Sequence, residues 1–242
     1  MVSGQCFCSI PQQILLIADD WPLIAEMVKD GYPFLLVSLV LAGLAGLAQW
    51  WAVWAVFLLL AAFVAFFFRN PKRQIPADPA LIVSPADGKV VKVQSGEYPG
   101  FGYGRRISIF LSVFDVHVNR LPVEGKIQDI RYYRGRFMAA FQHRASEENE
   151  RNSLWIRQGD HVFRVTQIAG LIARRIVCWK KPGDLAARGE LFGMIRFGSR
   201  VDLELPAEVE ILVKVGDRVR GGSSAVGRLH FTAEPQRTQA KN

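Results

Sequence analysis

From Pro33 to Phe68 the chain carries no charged residue, and beyond Pro71 and Pro76 it changes to short runs in which apolar and polar positions alternate. The first pattern exceeds the ~20 apolar residues needed to cross a bilayer once and predicts a helical, membrane-embedded segment. Gln49-Trp50-Trp51 divides it into two halves, each somewhat short of a full crossing. A tight two-helix hairpin, one tilted span and a re-entrant hairpin in one leaflet all fit that pattern. The second pattern predicts strands at Leu81–Val83, Gly88–Val93, Arg106–Leu111, Lys126–Tyr132, Ser153–Arg157 and His161–Ile168, separated by Gly, Pro and Asp turns. Short helices fit Ala139–Glu148 and Leu171–Trp179, although Ile172–Trp179 fits a strand equally well.

These textures divide the chain into a leader (1–32), a membrane-embedded segment (33–68), a mostly β domain (69–232) and a polar tail (233–242). No basic region precedes the apolar run, so a cleaved signal peptide is not expected. Charge sharpens the division. Residues 1–68 hold Lys29 against Asp19, Asp20, Glu26 and Asp30, whereas the whole chain is +8, so the β domain is strongly basic. With an apolar segment beside it, an anionic membrane surface is the expected partner rather than nucleic acid. Arg69, Lys72 and Arg73 follow the apolar run and place the β domain on the cytoplasmic side of the cell membrane. Cys6, Cys8 and Cys178 form no disulfide framework, and no His/Cys cluster has metal-ligand spacing.

Candidate chemistry centres on Gly193-Met-Ile-Arg-Phe-Gly-Ser199-Arg-Val-Asp202. A serine after a glycine can attack the preceding carbonyl, since the glycine has no Cβ to block the turn. By itself Gly198-Ser199 is an ordinary turn dipeptide. Its setting, with Ser84-Pro-Ala-Asp-Gly-Lys89 and Phe67-Phe-Arg-Asn-Pro-Lys-Arg73 upstream, resembles the short bacterial form of phosphatidylserine decarboxylase, a self-cleaving pyruvoyl enzyme. The likeness runs from about Phe66 to about Leu229, with three motifs in the family's order.

The resemblance implies cleavage between Gly198 and Ser199, a covalent pyruvoyl group derived from Ser199, and a heterodimer of fragments 1–198 and 199–242. It implies a Schiff base with phosphatidylserine, release of CO₂ and formation of phosphatidylethanolamine, with no metal. Asp87, an ideal turn aspartate taken alone, becomes part of an Asp/His/Ser arrangement that activates the serine hydroxyl. His117 is expected to transfer protons; with Asp115 two positions away, the two would share one face of a strand. The long form has a second histidine where this chain has Arg120. Phe137 to Asn152 resembles a further family segment: Met138 and Phe141 would meet acyl chains, and Arg144 or Arg151 the lipid phosphate.

The resemblance also implies the fold class. It is a mostly β (α+β) sandwich with lipoyl/biotinyl-like barrel-sandwich character, in which the Val213–Ser223 hairpin mirrors Ala86–Val90, preceded by the helical membrane segment. Two rivals remain at this stage. A non-enzymatic membrane adaptor with a lipoyl-like sandwich predicts an unbroken chain, and a pyruvoyl decarboxylase of another amino acid leaves Pro33–Phe68 without a purpose. Higher oligomers are left open.

Overall fold

The computed structural model describes residues 26–135, 148–170, 175–196 and 199–230, and the chain divides into two compact units between Lys72 and Arg73. The predicted helix at Ala139–Glu148 lies almost wholly outside the described residues.

In the first unit a single 3-10 turn, Lys29–Gly31, leads into helix α1 (Tyr32–Leu47), and α2 spans Trp51–Phe67. Pro33 falls in the first turn of α1, where its missing N–H would have had no helical partner. Gln49, at φ 57, reverses the chain. Val28 N then donates to Phe68 O at 3.0 Å and Asn70 N to Glu26 O at 2.7 Å, so the far ends of the hairpin close on each other. This reversal excludes one continuous tilted span. Ala42, Ala45 and Ala61 are buried, whereas Leu36, Leu47 and Leu59 are exposed. Alanines at the helix contact and large apolar residues such as Leu36, Leu47 and Leu59 outside suit a helix pair packed in lipid, although Val64 and Phe67 are buried as well. Lys29–Leu47 is long and apolar enough to cross a membrane by length and composition.

Among the described residues, the second unit has fourteen strands. An eight-stranded sheet runs in the order β13 (Arg218–Val219), β2 (Gly88–Tyr98), β3 (Gly102–Leu111), β11 (Ser199–Pro206), β7 (His161–Ile168), β6 (Arg151–Gln158), β5 (Gly125–Tyr133) and β9 (Leu185–Ala186). Two three-stranded sheets accompany it. One is β1 (Leu81–Val83), β14 (Ala225–Arg228) and β12 (Glu210–Ile211); the other is β4 (Val118–Arg120), β10 (Leu191–Ile195) and β8 (Ile176–Cys178). Alternation decides the core. Val201, Leu203 and Leu205 of β11 join Ile107, Ile109, Phe163 and Val165 in the apolar cluster, while Arg200, Asp202 and Glu204 point to the other face. Of the two readings left open for 172–179, the strand is the one that forms, at Ile176–Cys178. One local expectation changes. Asp115 and His117 lie in a loop, because β4 begins only at Val118.

The register shows an internal duplication. One copy is β1–β3 completed by β11–β14; the other is β4–β10, inserted between them. Pro85-Ala-Asp-Gly-Lys-Val90 corresponds to Pro122-Val-Glu-Gly-Lys-Ile127, and the Gly216-Asp217 hairpin to Gly183-Asp184. The hydrogen bonds repeat: Val90 N to Asp217 O and Gly216 N to Val90 O (both 2.8 Å) match Ile127 N to Asp184 O (2.9 Å) and Gly183 N to Ile127 O (2.8 Å). So do the irregularities, since register shifts at Val90/Lys92 and Ile127/Asp129 fall at equivalent places. The pseudo-twofold axis passes between β11 and β7. The chain therefore leaves the first copy after β3 and re-enters it at Ser199, the first residue of β11.

Candidate active site

Three separate segments converge on the end of the sheet where β11 begins. Ser199 pairs with Leu111 at the end of β3, and Phe110 lies between Lys89 on one side and Arg200 on the other. With strands ~4.8 Å apart, the Ser84–Gly88 turn ends about two strand spacings, roughly 10 Å, from the Ser199 backbone. Arg120 N donates to Pro85 O (2.9 Å), tying β4 to that turn, and Ile195 N donates to His117 O (3.3 Å), tying the His117 loop to the strand that runs toward the Gly198–Ser199 junction.

Ser199 is fully buried, and its Oγ has no hydrogen-bond partner among the described residues. A buried hydroxyl left so is costly, and such a group calls for a reason. Gly198 lies outside the described residues. His117 is fully buried too. Its Nδ1 is 2.8 Å from the backbone O of Asp115; a carbonyl oxygen only accepts, so Nδ1 carries a proton, and in the neutral form of the ring the lone pair lies on Nε2. Asp115 is engaged locally, accepting from Ser112 N and Ser112 Oγ, each at 2.7 Å.

The Asp87 carboxylate accepts from Arg73 Nη2 at 2.6 Å and from Gly221 N at 2.8 Å. It thereby joins the turn before β2 to the hairpin before β14. Gly88 makes the turn possible: its φ is +152, and a Cβ there would stand 2.1 Å from Phe110 O. Gly193 is a second required glycine, since a Cβ would meet Val177 O at 2.2 Å and Gln167 Nε2 at 2.9 Å.

A feature the sequence reading missed is a string of buried amides on the Ser199 face of the sheet. Asn152 Nδ2 donates to Gln167 Oε1 (3.0 Å), and Gln167 Nε2 donates to Asn119 Oδ1 (2.9 Å). All three residues are essentially sealed from solvent. The internal repeat was the signal that could have found them, because it aligns Asn119 with Ile82 and Gln167 with Leu205. The opposite face carries an ionic cluster. Glu204 accepts from Arg106 (2.9 Å) and Arg164 (3.2 Å), and Arg200 clasps Asp202. Burial raises the Glu204 carboxyl above the usual range even though both arginines pull it down.

Of the residues expected to meet lipid, Arg144, Met138 and Phe141 lie outside the described residues. Arg151 opens β6, its guanidinium 4.6 Å from the Tyr133 ring centre. It pairs with Ile168, which pairs with Arg200, so it stands on the face opposite the Ser199 side chain.

Comparison with known proteins bears on the same residues. The family model for phosphatidylserine decarboxylase matches residues 60–227. A phosphatidylserine decarboxylase proenzyme of Carboxydothermus hydrogenoformans is 52% identical over 174 residues, covering 71% of this chain and 82% of the relative. The proenzymes of Symbiobacterium thermophilum and Trichlorobacter lovleyi are each 49% identical, covering 86% of this chain and 96% and 99% of their own lengths. The match spans the turn before β2, the His117 loop and the strand headed by Ser199, and by it the chain belongs to the phosphatidylserine decarboxylase family.

Proposed function

We propose that the chain is a membrane-bound proenzyme that severs itself between Gly198 and Ser199, and that the mature form converts phosphatidylserine to phosphatidylethanolamine. The observation that carries this reading is the Ser199 hydroxyl: buried, without a partner among the described residues, and placed where the inserted copy of the repeat returns to the first.

The self-cleavage follows from the chain's own atoms. Ser199 Oγ attacks the carbonyl carbon of residue 198, its proton passing to a base and then to the departing amide nitrogen, which leaves an ester. Loss of the Ser199 α-proton expels the carboxylate of residue 198. The dehydroalanine that remains hydrolyses to a pyruvoyl group with release of ammonia. His117 suits the base, since the Asp115 carbonyl holds Nδ1 protonated and puts the lone pair on Nε2. Asp87 acts by holding the small fragment's Gly221 against the turn, with Arg73 as its ion-pair partner.

The residues fit the group. Residue 199 heads a buried strand paired on both sides, which would hold the new terminus rigidly. A ketone there supplies an electron sink for loss of a carboxylate α to an amine. Arg144 or Arg151 is assigned to the lipid phosphate and Met138 with Phe141 to the acyl chains. Arg69, Lys72 and Arg73 keep the β domain on the cytoplasmic face. The lipoyl-like character belongs to this reading as well, supported by the paired, repeated Gly-Asp hairpins.

Intact mass of the protein purified from membranes in detergent tests the proposal. Two chains are expected, the smaller beginning at residue 199 and lacking its amine, together with CO₂ release from phosphatidylserine vesicles. An uncut chain in active material would refute it, and an uncut chain without activity would favour an adaptor-like protein. The fragments are also expected to stay together after cleavage, because the small one supplies β11 to the middle of the eight-stranded sheet. Size exclusion in detergent should show one species, and denaturing electrophoresis two.

A further inference from the structure

We propose that Asn119 is the hydrogen-bond donor that receives the negative charge on the carbonyl oxygen of residue 198 when Ser199 attacks. The inference rests on the self-cleavage reading and adds to it a residue and a role.

Where the first copy of the repeat has Ile82 and Leu205, two buried residues of the same apolar cluster, the second has Asn119 hydrogen-bonded to Gln167, equally buried. Sealing two amides in a core costs free energy relative to an apolar pair even when they bond each other. Both copies form the same strands in the same register, so folding does not require the amides. They occur at one end only of the β11–β7 ladder, the end at which Ser199 lies.

Gln167 Nε2 must donate, because it also approaches the carbonyl of Val177 at 3.4 Å, while Gln167 Oε1 accepts from Asn152 Nδ2 at 3.0 Å. Asn119 is thus held with Oδ1 toward Gln167, which leaves its Nδ2 group as the terminal donor of the string. That Nδ2 is buried with no partner among the described residues. An unpartnered buried N–H donor on the residue bonded to Gln167, and an unpartnered buried hydroxyl two residues from Val201, the strand partner of Gln167, are the two groups an oxyanion site needs before the charge forms.

Gln167 pairs with Val201, so Ser199, two residues along the same face, is its diagonal neighbour at roughly 7 Å between backbones. The attacked carbonyl carbon is bonded to Ser199 N, about 1.33 Å away. Asn119 itself sits in β4 opposite Gly193 of β10, the strand that leads toward that bond. Gly193 lacks the Cβ that would meet Gln167 Nε2, so the motif glycine leaves room for the string. Asn152 and Gln167 would position the donor, and Asn119 Nδ2 would give its N–H to the reacting oxygen.

Two variants of the full chain test this, each followed by intact mass, thermal unfolding and hydroxylamine, which cleaves an ester at residue 198. The double variant Asn119→Ile with Gln167→Leu installs the apolar pair of the other copy, so it is expected to fold with a midpoint at or above that of the wild type. Asn119→Asp keeps the shape and the acceptor for Gln167 but exchanges the NH₂ for oxygen. Both are expected to mature ~10²–10³-fold more slowly, the effect of losing one such donor, and to give little hydroxylamine cleavage because the ester does not form. Maturation of either variant at the wild-type rate overturns the proposal. So does rapid hydroxylamine cleavage of uncut variant, which would place the loss at elimination instead. Wild-type chain that is never cut at residue 199 would defeat the self-cleavage reading itself, whatever the variants do.

Discussion

A Ser199→Ala chain is expected to run as one band at the full 27.1 kDa, bound to membranes, folded, and without decarboxylase activity at any substrate concentration. The substitution removes one oxygen from a fully buried position where, among the described residues, it bonds nothing. Folding therefore loses no hydrogen bond, and the strand pairing of residue 199 with Leu111 is made by the backbone. The chemistry loses everything, since neither the ester nor the ketone derived from it can form. Electrophoresis, mass and vesicle turnover check the three parts separately. A Ser199→Ala chain that still separates into two fragments would place the cut elsewhere, and one that stays whole yet decarboxylates would remove the ketone from the mechanism.

The second large effect is steric. Gly88→Ala should unfold the domain at a markedly lower temperature and block maturation with it. A Cβ at residue 88 would stand 2.1 Å from the Phe110 carbonyl oxygen, in a backbone conformation of φ +152 that side chains disfavour. Neither partner is a flexible side-chain end, so relief means pulling β2 away from β3 beside the Asp87 turn. A cost of at least ~3 kcal/mol follows, on the order of 10 °C in midpoint for a domain of this size. Gly96→Ala is the control on the same strand: nothing lies within 4 Å of its Cβ, and a change within ~0.5 kcal/mol is expected. Equal midpoints for the two variants, read by circular dichroism, would mean that β2 does not approach β3 in this way.

The apolar segment (though not its reversal at Gln49), the strand positions and the motifs that meet at the head of β11 were legible in the sequence for a local reason. A charge-free run, a period-two alternation and the Pro-Ala-Asp-Gly and Phe-Gly-Ser motifs are each written in a few consecutive residues. His117 was legible as a residue but not as a strand position, because its loop is set by Asp115 accepting from Ser112 and offering its carbonyl to the imidazole. That Arg73 and Gly221 grip Asp87 was not legible, since neither is near it in the chain.

The duplication stood in the sequence as two Pro-x-[Asp/Glu]-Gly-Lys turns and two Gly-Asp hairpins, but its meaning was not there. Composition and spacing fixed which segments could be strands, because side-chain period is a property of neighbours along the chain. Only the tertiary structure decided that one copy is inserted in the other, that β11 returns to the centre of the sheet at Ser199, and that Asn119 and Gln167 replace an apolar pair beside it. Those facts depend on register between strands far apart in sequence, and register is settled by the packing of both sheet faces at once rather than by any local pattern.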